Sequence, residues 1–265
     1  MRARARAKAL AKAVARARTT TWRLCAALLL APALAAAQES EELVGDRPDF
    51  TESAVAVSPG RVQVEAGTTW TRDEGETAHE LGEVLVRIGM LEDLELRVGL
   101  GSWVRAGDAD GWDGGSLGLK AQLVDGWGWR PELAVLLGAA TPFGDEEVAD
   151  ESWQPEAKLA LGWELAEDLE LGVNAGYARP GEGEGRFDQA QWSAALGWGA
   201  TDRLGFFVEA FGFGREEPDG GSTQYLDAGV TWLLGPELQL DARVGRGLGD
   251  DAADWFAGAG VVARR

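Results

Sequence analysis

The sequence predicts an all-β protein, a transmembrane antiparallel up-and-down β-barrel of roughly twelve strands. Three observations predict it. Apolar and polar residues alternate with a period of two through most of the chain, which marks strands with two unlike faces. The alternating segments run about 9–12 residues, the length a tilted strand needs to cross a bilayer. Short and long links take turns between them, as in outer-membrane barrels with short periplasmic turns and longer outer loops.

The predicted strands lie near 61–71, 81–90, 94–106, 116–124, 130–141, 154–165, 169–179, 189–199, 204–214, 223–234, 237–247 and 254–263. Alternation is cleanest where Leu94, Leu96, Val98 and Leu100 interleave with Glu95, Arg97, Gly99 and Gly101. It is equally clean where Leu238, Leu240, Ala242 and Val244 interleave with Gln239, Asp241, Arg243 and Gly245. Leu136-Leu137 and Phe206-Phe207-Val208 interrupt it. The short links are 91–93, 125–129, 166–168, 201–203 and 235–236; the long ones are 73–80, 107–115, 143–152, 180–188 and 215–222, with an intermediate one at 247–253. This order puts both ends of the barrel on the periplasmic side. Leu91–Leu96 resembles Ala166–Leu171, a recurring hairpin chemistry at one end rather than a solenoid repeat.

In a membrane the apolar face must look outward and the polar face inward. The predicted lumen-lining residues are Arg61, Glu65, Arg87, Glu95, Arg97, Lys120, Glu156, Lys158, Glu164, Glu170, Asp227, Asp241 and Arg243, with Glu83 on the same face. Trp70, Trp163, Trp192, Trp198, Trp232 and Tyr177 fall on apolar faces, where interfacial aromatic girdles are expected.

The first 37 residues read as a secretory signal peptide. Eight basic residues from Arg2 to Arg23 come without an acid, an apolar run spans Leu24–Leu34, and Ala35-Ala36-Ala37 offers a cleavage site near Ala37. No twin arginine of the Tat type is present, so Sec export is expected. Residues 38–58 are expected as a periplasmic or lumenal segment, and 59–265 as the outer-membrane barrel of a Gram-negative bacterium. Cys25, the only cysteine, lies in the apolar run. The exported chain would therefore hold no disulfide, thiol nucleophile or cysteine metal site. The formal charge of -19 becomes -27 once the eight basic residues of the leader are removed, which argues against nucleic acid as a partner.

The segment Asp46-Arg47-Pro48-Asp49-Phe50-Thr51-Glu52-Ser53 leads into Pro59–Gly67. This opening, with Glu83–Gly89 and Leu94–Trp103 after it, resembles the family described as "Putative MetA-pathway of phenol degradation". The resemblance implies a channel-like outer-membrane barrel, with hydrophobic or aromatic compounds among its candidate solutes. The sequence departs from the usual barrel ending. It finishes Val261-Val262-Ala263-Arg264-Arg265, without the closing aromatic that assists recognition by the barrel-assembly machinery.

Catalytic chemistry is not signalled. His79, the only histidine, is expected in an outer loop among Glu74, Glu76 and Glu80, with no serine fixed beside it to form a triad. Asp108, Asp110 and Asp113 form a weak candidate calcium loop, but its twelfth position is Leu119 instead of the bidentate Glu. No cofactor is expected. The expected function is passive passage or binding of small molecules. A non-conducting structural or adhesive barrel is the alternative, and a barrel hydrolase or secreted soluble β-protein comes third. The expected partners are outer-membrane lipid, lipopolysaccharide, the assembly machinery and a small solute.

Overall fold

The computed structural model describes residues 42–182 and 185–265. The expected signal peptide and its cleavage site lie outside the described residues.

The chain is all-β. Its strands are β1 Val62–Asp73, β2 Glu76–Leu91, β3 Leu94–Ala106, β4 Ala109–Trp112, β5 Ser116–Val124, β6 Glu132–Ala140, β7 Gln154–Ala166, β8 Leu169–Ala178, β9 Gly181–Glu182, β10 Gly185–Arg186, β11 Gln189–Thr201, β12 Leu204–Phe213, β13 Thr223–Gly235, β14 Leu238–Gly247 and β15 Trp255–Arg264. Twelve of these are long and pair antiparallel with their neighbours. β1 pairs with β15 from Gln63↔Arg264 to Arg72↔Trp255, which closes the sheet into a barrel and leaves it no edge. β4 folds back on the end of β3, and β9 pairs with β10 inside a loop.

The predicted strands coincide with the long ones. β3 and β5 match to the residue; alternation marks β5 throughout and β3 as far as Leu100, beyond which Gly101, with φ 68°, shifts the parity so that Ser102 is buried and Trp103 exposed. The first predicted long link, 73–80, is wrong. Glu74 and Gly75 both take positive φ, 46° and 91°, and form a two-residue turn of the kind hairpins favour. The next residues already pair, from Asp73↔Glu76 inward. Glu76 to Glu80 lack the alternation of the other strands, so the sequence hides this extension. His79 is therefore a strand residue of β2. Its Nε2 lies 2.8 Å from Thr68 Oγ1, and its ring stacks on Trp70 at 4.9 Å.

The distribution of polarity is inverted relative to a water-soluble fold. Among the described residues the largest fully buried side chains are Arg87, Lys120, Gln63, Glu65, Glu95, Val262 and Ser193. Leu119, Leu159, Val208, Leu226 and Val244 are exposed on the outer wall. Trp70, Trp192, Trp198, Trp232 and Tyr177 are exposed there as well. The interrupted stretches obey the same geometry: Leu136 and Phe207 are buried, while Leu137, Phe206 and Val208 are exposed. There the inner wall itself turns apolar.

A clasp sits where the barrel closes. Glu237, in the turn between β13 and β14, pairs with Arg61 ahead of β1 and with Arg264 at the end of β15, the latter at 2.7 Å. Burial raises the Glu237 carboxyl, but hydrogen bonds and charge from Arg264 and Arg61 outweigh it and hold the group below its usual range. Arg61, predicted in the lumen, belongs to this rim, because it precedes the first ladder pair.

Candidate functional site: a lumen occupied by residues 42–58

The site is built from the inner wall and from the segment that precedes β1. Residues 42–58 enter from the end with short turns, fold back on themselves and return to β1. The fold-back is closed by Asp46, whose Oδ1 accepts hydrogen bonds from Ser53 N at 2.9 Å and Ser53 Oγ at 2.8 Å.

Asp46 is the hub of an ion network. Its carboxylate lies 2.9 Å from Lys120 Nζ, 2.6 Å from Arg97 Nη1 and 3.3 Å from Arg87 Nη1. Arg87 also binds Glu95 at 2.9 Å and Glu65 at 3.1 Å. Its guanidinium donates to the carbonyls of Val44 and Val55, one on each arm of the lumenal loop. Glu52 accepts from Arg97 at 2.6 Å and from Lys158 at 3.0 Å. These strands place cations on one side because Arg87, Arg97, Lys120 and Lys158 all occupy inner positions of β2, β3, β5 and β7. Charges this deeply buried persist only when paired and hydrogen-bonded, and the loop supplies the missing carboxylates.

The opposite wall takes the rest of the loop. Arg47 binds Glu83 at 2.6 Å and Asp241 at 3.4 Å. A Cβ at Gly67 or Gly260 would collide with this guanidinium, so the two glycines make its berth. Thr51 Oγ1 donates to Glu209 Oε1 at 2.5 Å and lies 2.8 Å from the Ser193 hydroxyl, whose proton it can accept, and Phe50 N donates to Glu209 Oε2 at 2.7 Å. Glu52 N donates to Asn174 Oδ1 at 2.7 Å. On the return arm, Ala56 N and Val57 N donate to Gln122 and Glu95. Ala54 packs against Ala134, Leu136 and Ala160. Phe50 stacks on Phe211 at 4.9 Å, within an inner aromatic cluster that includes Tyr225 and Phe256.

Open space lies on both sides of the loop. On the long-loop side a cavity of about 550 Å³ reaches Glu52 and Arg97, and its wall includes Asp113, Gln154, Glu156 and Gln191. On the short-turn side a cavity of about 790 Å³ is lined by Asp49, Arg130, Glu132, Glu164 and Glu170, among others. Burial raises the Asp113 carboxyl, with a hydrogen bond from Ser102 N acting against it.

The structure thus gathers Glu65, Arg87, Glu95, Arg97, Lys120 and Lys158 into one network. It puts Glu156 in one cavity and Glu164 and Glu170 in the other. Asp227, Asp241 and Arg243 stand on the far wall, where Arg243 lies 4.0 Å from Asp227 and over the Phe256 ring at 5.2 Å. Glu209, Asn174, Ser193 and the inner aromatics were not singled out in the sequence. Their parity in the strands was the available signal, but an inner Phe looks like a break in the pattern.

The three aspartates of the candidate calcium loop are not brought together. Asp110 binds Arg105 at 2.8 Å and the Trp103 indole, while Asp113 accepts from Ser102 N at 2.7 Å. Among the described residues no group of three or more His, Cys, Asp or Glu is placed to hold a metal ion.

A closed twelve-stranded barrel, polar within and apolar without, has the fold of the outer-membrane channels. The chain belongs to the family described as "Putative MetA-pathway of phenol degradation", whose model matches residues 45–264. That match takes in the lumenal loop as well as the barrel. Among solved structures the chain is similar to an outer membrane channel from Pseudomonas putida F1, with a TM-score of 0.63 and 11% identity over 80% of this chain and 98% of that one. It is also similar to the NanC porin (TM-score 0.53, 8% identity, 76% of this chain and 98% of that one). The KdgM porin gives a TM-score of 0.52 at 7% identity, with the same coverage. No curated protein sequence matches significantly.

Proposed function

We propose that the protein is a passive channel for small solutes in the bacterial outer membrane, stoppered in its lumen by residues 42–58. One observation carries this reading. The barrel wall leaves cavities on both sides of a loop held through ion pairs, hydrogen bonds and one stacked ring, none of them covalent. Family membership and similarity to channel folds support it. The inner aromatic cluster supports hydrophobic or aromatic solutes. In this reading residues 1–37 direct export, and outer-membrane lipid and lipopolysaccharide meet the apolar wall.

Single-channel recording tests the proposal. The refolded protein lacking residues 42–58 is expected to show steady, long-lived conductance, and the intact protein rare openings. A truncated barrel that refolds and remains silent would reject the channel and favour a purely structural barrel. Membrane placement has its own test. Leu159→Arg puts a charge on the outer wall between inward Lys158 and Ala160, and should cost about 2–4 kcal/mol if that wall meets lipid near the midplane. Urea titration in phospholipid vesicles measures it, and an unchanged midpoint would argue against lipid there.

A further inference from the structure

The tip of the lumenal loop carries a ring and a carboxylate two residues apart, and the barrel receives each separately. The Phe50 ring lies on Phe211 at 4.9 Å and meets the edge of Phe213 at 5.3 Å. The Glu52 carboxylate bridges Lys158 at 3.0 Å and Arg97 at 2.6 Å. Lys158 joins the two halves, because its ammonium also sits 4.9 Å from the centre of the Phe50 ring. A cation that pairs with a carboxylate and faces a ring is matched to a ligand bearing both. We infer that Phe50 and Glu52 occupy a solute site of the channel, and that its solute is an aromatic carboxylate arriving from the long-loop side.

This inference rests on the channel reading and adds a solute class to it. The charge balance supports it. Within the directly ion-paired network, Arg87, Arg97, Lys120 and Lys158 meet Glu65 and Glu95 of the wall and Asp46 and Glu52 of the loop, four cations with four carboxylates. A solute carboxylate that displaces Glu52 leaves that balance intact. A neutral aromatic would leave Lys158 without the carboxylate it is hydrogen-bonded to, while Arg97 kept Asp46 and Glu95, and loss of one partner from a buried pair is costly. Access is provided as well, since the cavity on the long-loop side ends at Glu52 and Arg97. Glu156 lines the same cavity and is the acid that an incoming anion must pass.

Binding of 3-phenylpropanoate and of its neutral amide to the refolded protein tests this, by calorimetry or tryptophan fluorescence in micelles. The acid is expected to bind at least about tenfold more tightly than the amide, as for a charge-assisted pair against a neutral one. Glu52→Gln should raise affinity for the acid, because the internal competitor no longer claims the cations. Lys158→Met should abolish the preference and Lys158→Arg should keep it. Equal binding of acid and amide to the Glu52→Gln protein would overturn the inference, as would an undiminished preference in Lys158→Met. If Lys158→Met does not refold, the comparison of Glu52→Gln with wild type decides. Conductance is recorded on the same preparations. A conducting barrel without acid preference rejects the solute class and leaves the channel. A barrel that is silent even without its loop, yet prefers the acid, rejects the channel and leaves the binding site.

Discussion

Asp46→Ala is expected to turn a mostly closed barrel into one that is open much of the time. The substitution removes a carboxylate shared by Lys120, Arg97 and Arg87, and the bonds from Ser53 that close the neck of the loop. Lys120 is then the worst placed, because its side chain has no exposure and Asp46 is its nearest carboxylate. Breaking a buried pair from one side costs about 3–5 kcal/mol. Most of that cost is relieved if the loop leaves and water enters, so it appears as a shift of the closed–open equilibrium. At about 1.4 kcal/mol per factor of ten, the shift is on the order of a hundredfold or more. Open probability in planar bilayers measures it, and proteolysis within residues 42–58 gives a second readout. Asp46→Asn should fall between the two, since an amide oxygen still accepts from Ser53. An Asp46→Ala protein that is as quiet and as protease-resistant as wild type would show that the loop is held by something other than this network.

Arg87→Met should damage the barrel itself. All three guanidinium nitrogens are engaged, with Glu95, Glu65 and the carbonyls of Val44 and Val55. Departure of the loop cannot rescue this site, because Glu65 on β1 and Glu95 on β3 remain facing inward beside each other. The expected loss is about 3–5 kcal/mol of unfolding free energy, read from the urea midpoint in vesicles. Adding Glu95→Gln should recover part of it, since the double variant no longer leaves two buried carboxylates sharing one space. Strictly additive losses would mean that the residues are not coupled.

The two outcomes separate what sequence reading can and cannot reach. Strands such as Ser116–Val124 were legible because a half-apolar strand states its two faces at every second residue. Arg87, Glu95 and Lys120 were legible as inward for the same reason. Their joint partner was not. Asp46 lies 74 residues from Lys120 and 51 from Arg97, and periodicity carries no information about pairs so far apart. The motif Asp46–Ser53 stood out only through its family resemblance, and the structure supplies the physical content: Asp46, Arg47, Phe50, Thr51, Glu52 and Ser53 each meet a partner by side chain. His79 was misplaced because polar residues continue β2 beyond the region where one face must be apolar.

The clasp at the closing strands links closure of the wall to the placement of the loop. Arg264 holds Glu237 through one nitrogen and the carbonyl of Glu42 through another. Glu42 opens the loop, and Gly60, just past its end, donates to Gly89 O beside the same rim. The final seam of the barrel and the mouth of the loop thus share one side chain. The pairing of β15 with β1, from Arg264 to Trp255, shuts the wall. A loop that lies inside when this seam forms is enclosed with it. The residue that seals the seam therefore also ties down the start of the loop, so closure of the wall and placement of residues 42–58 are coupled through Arg264.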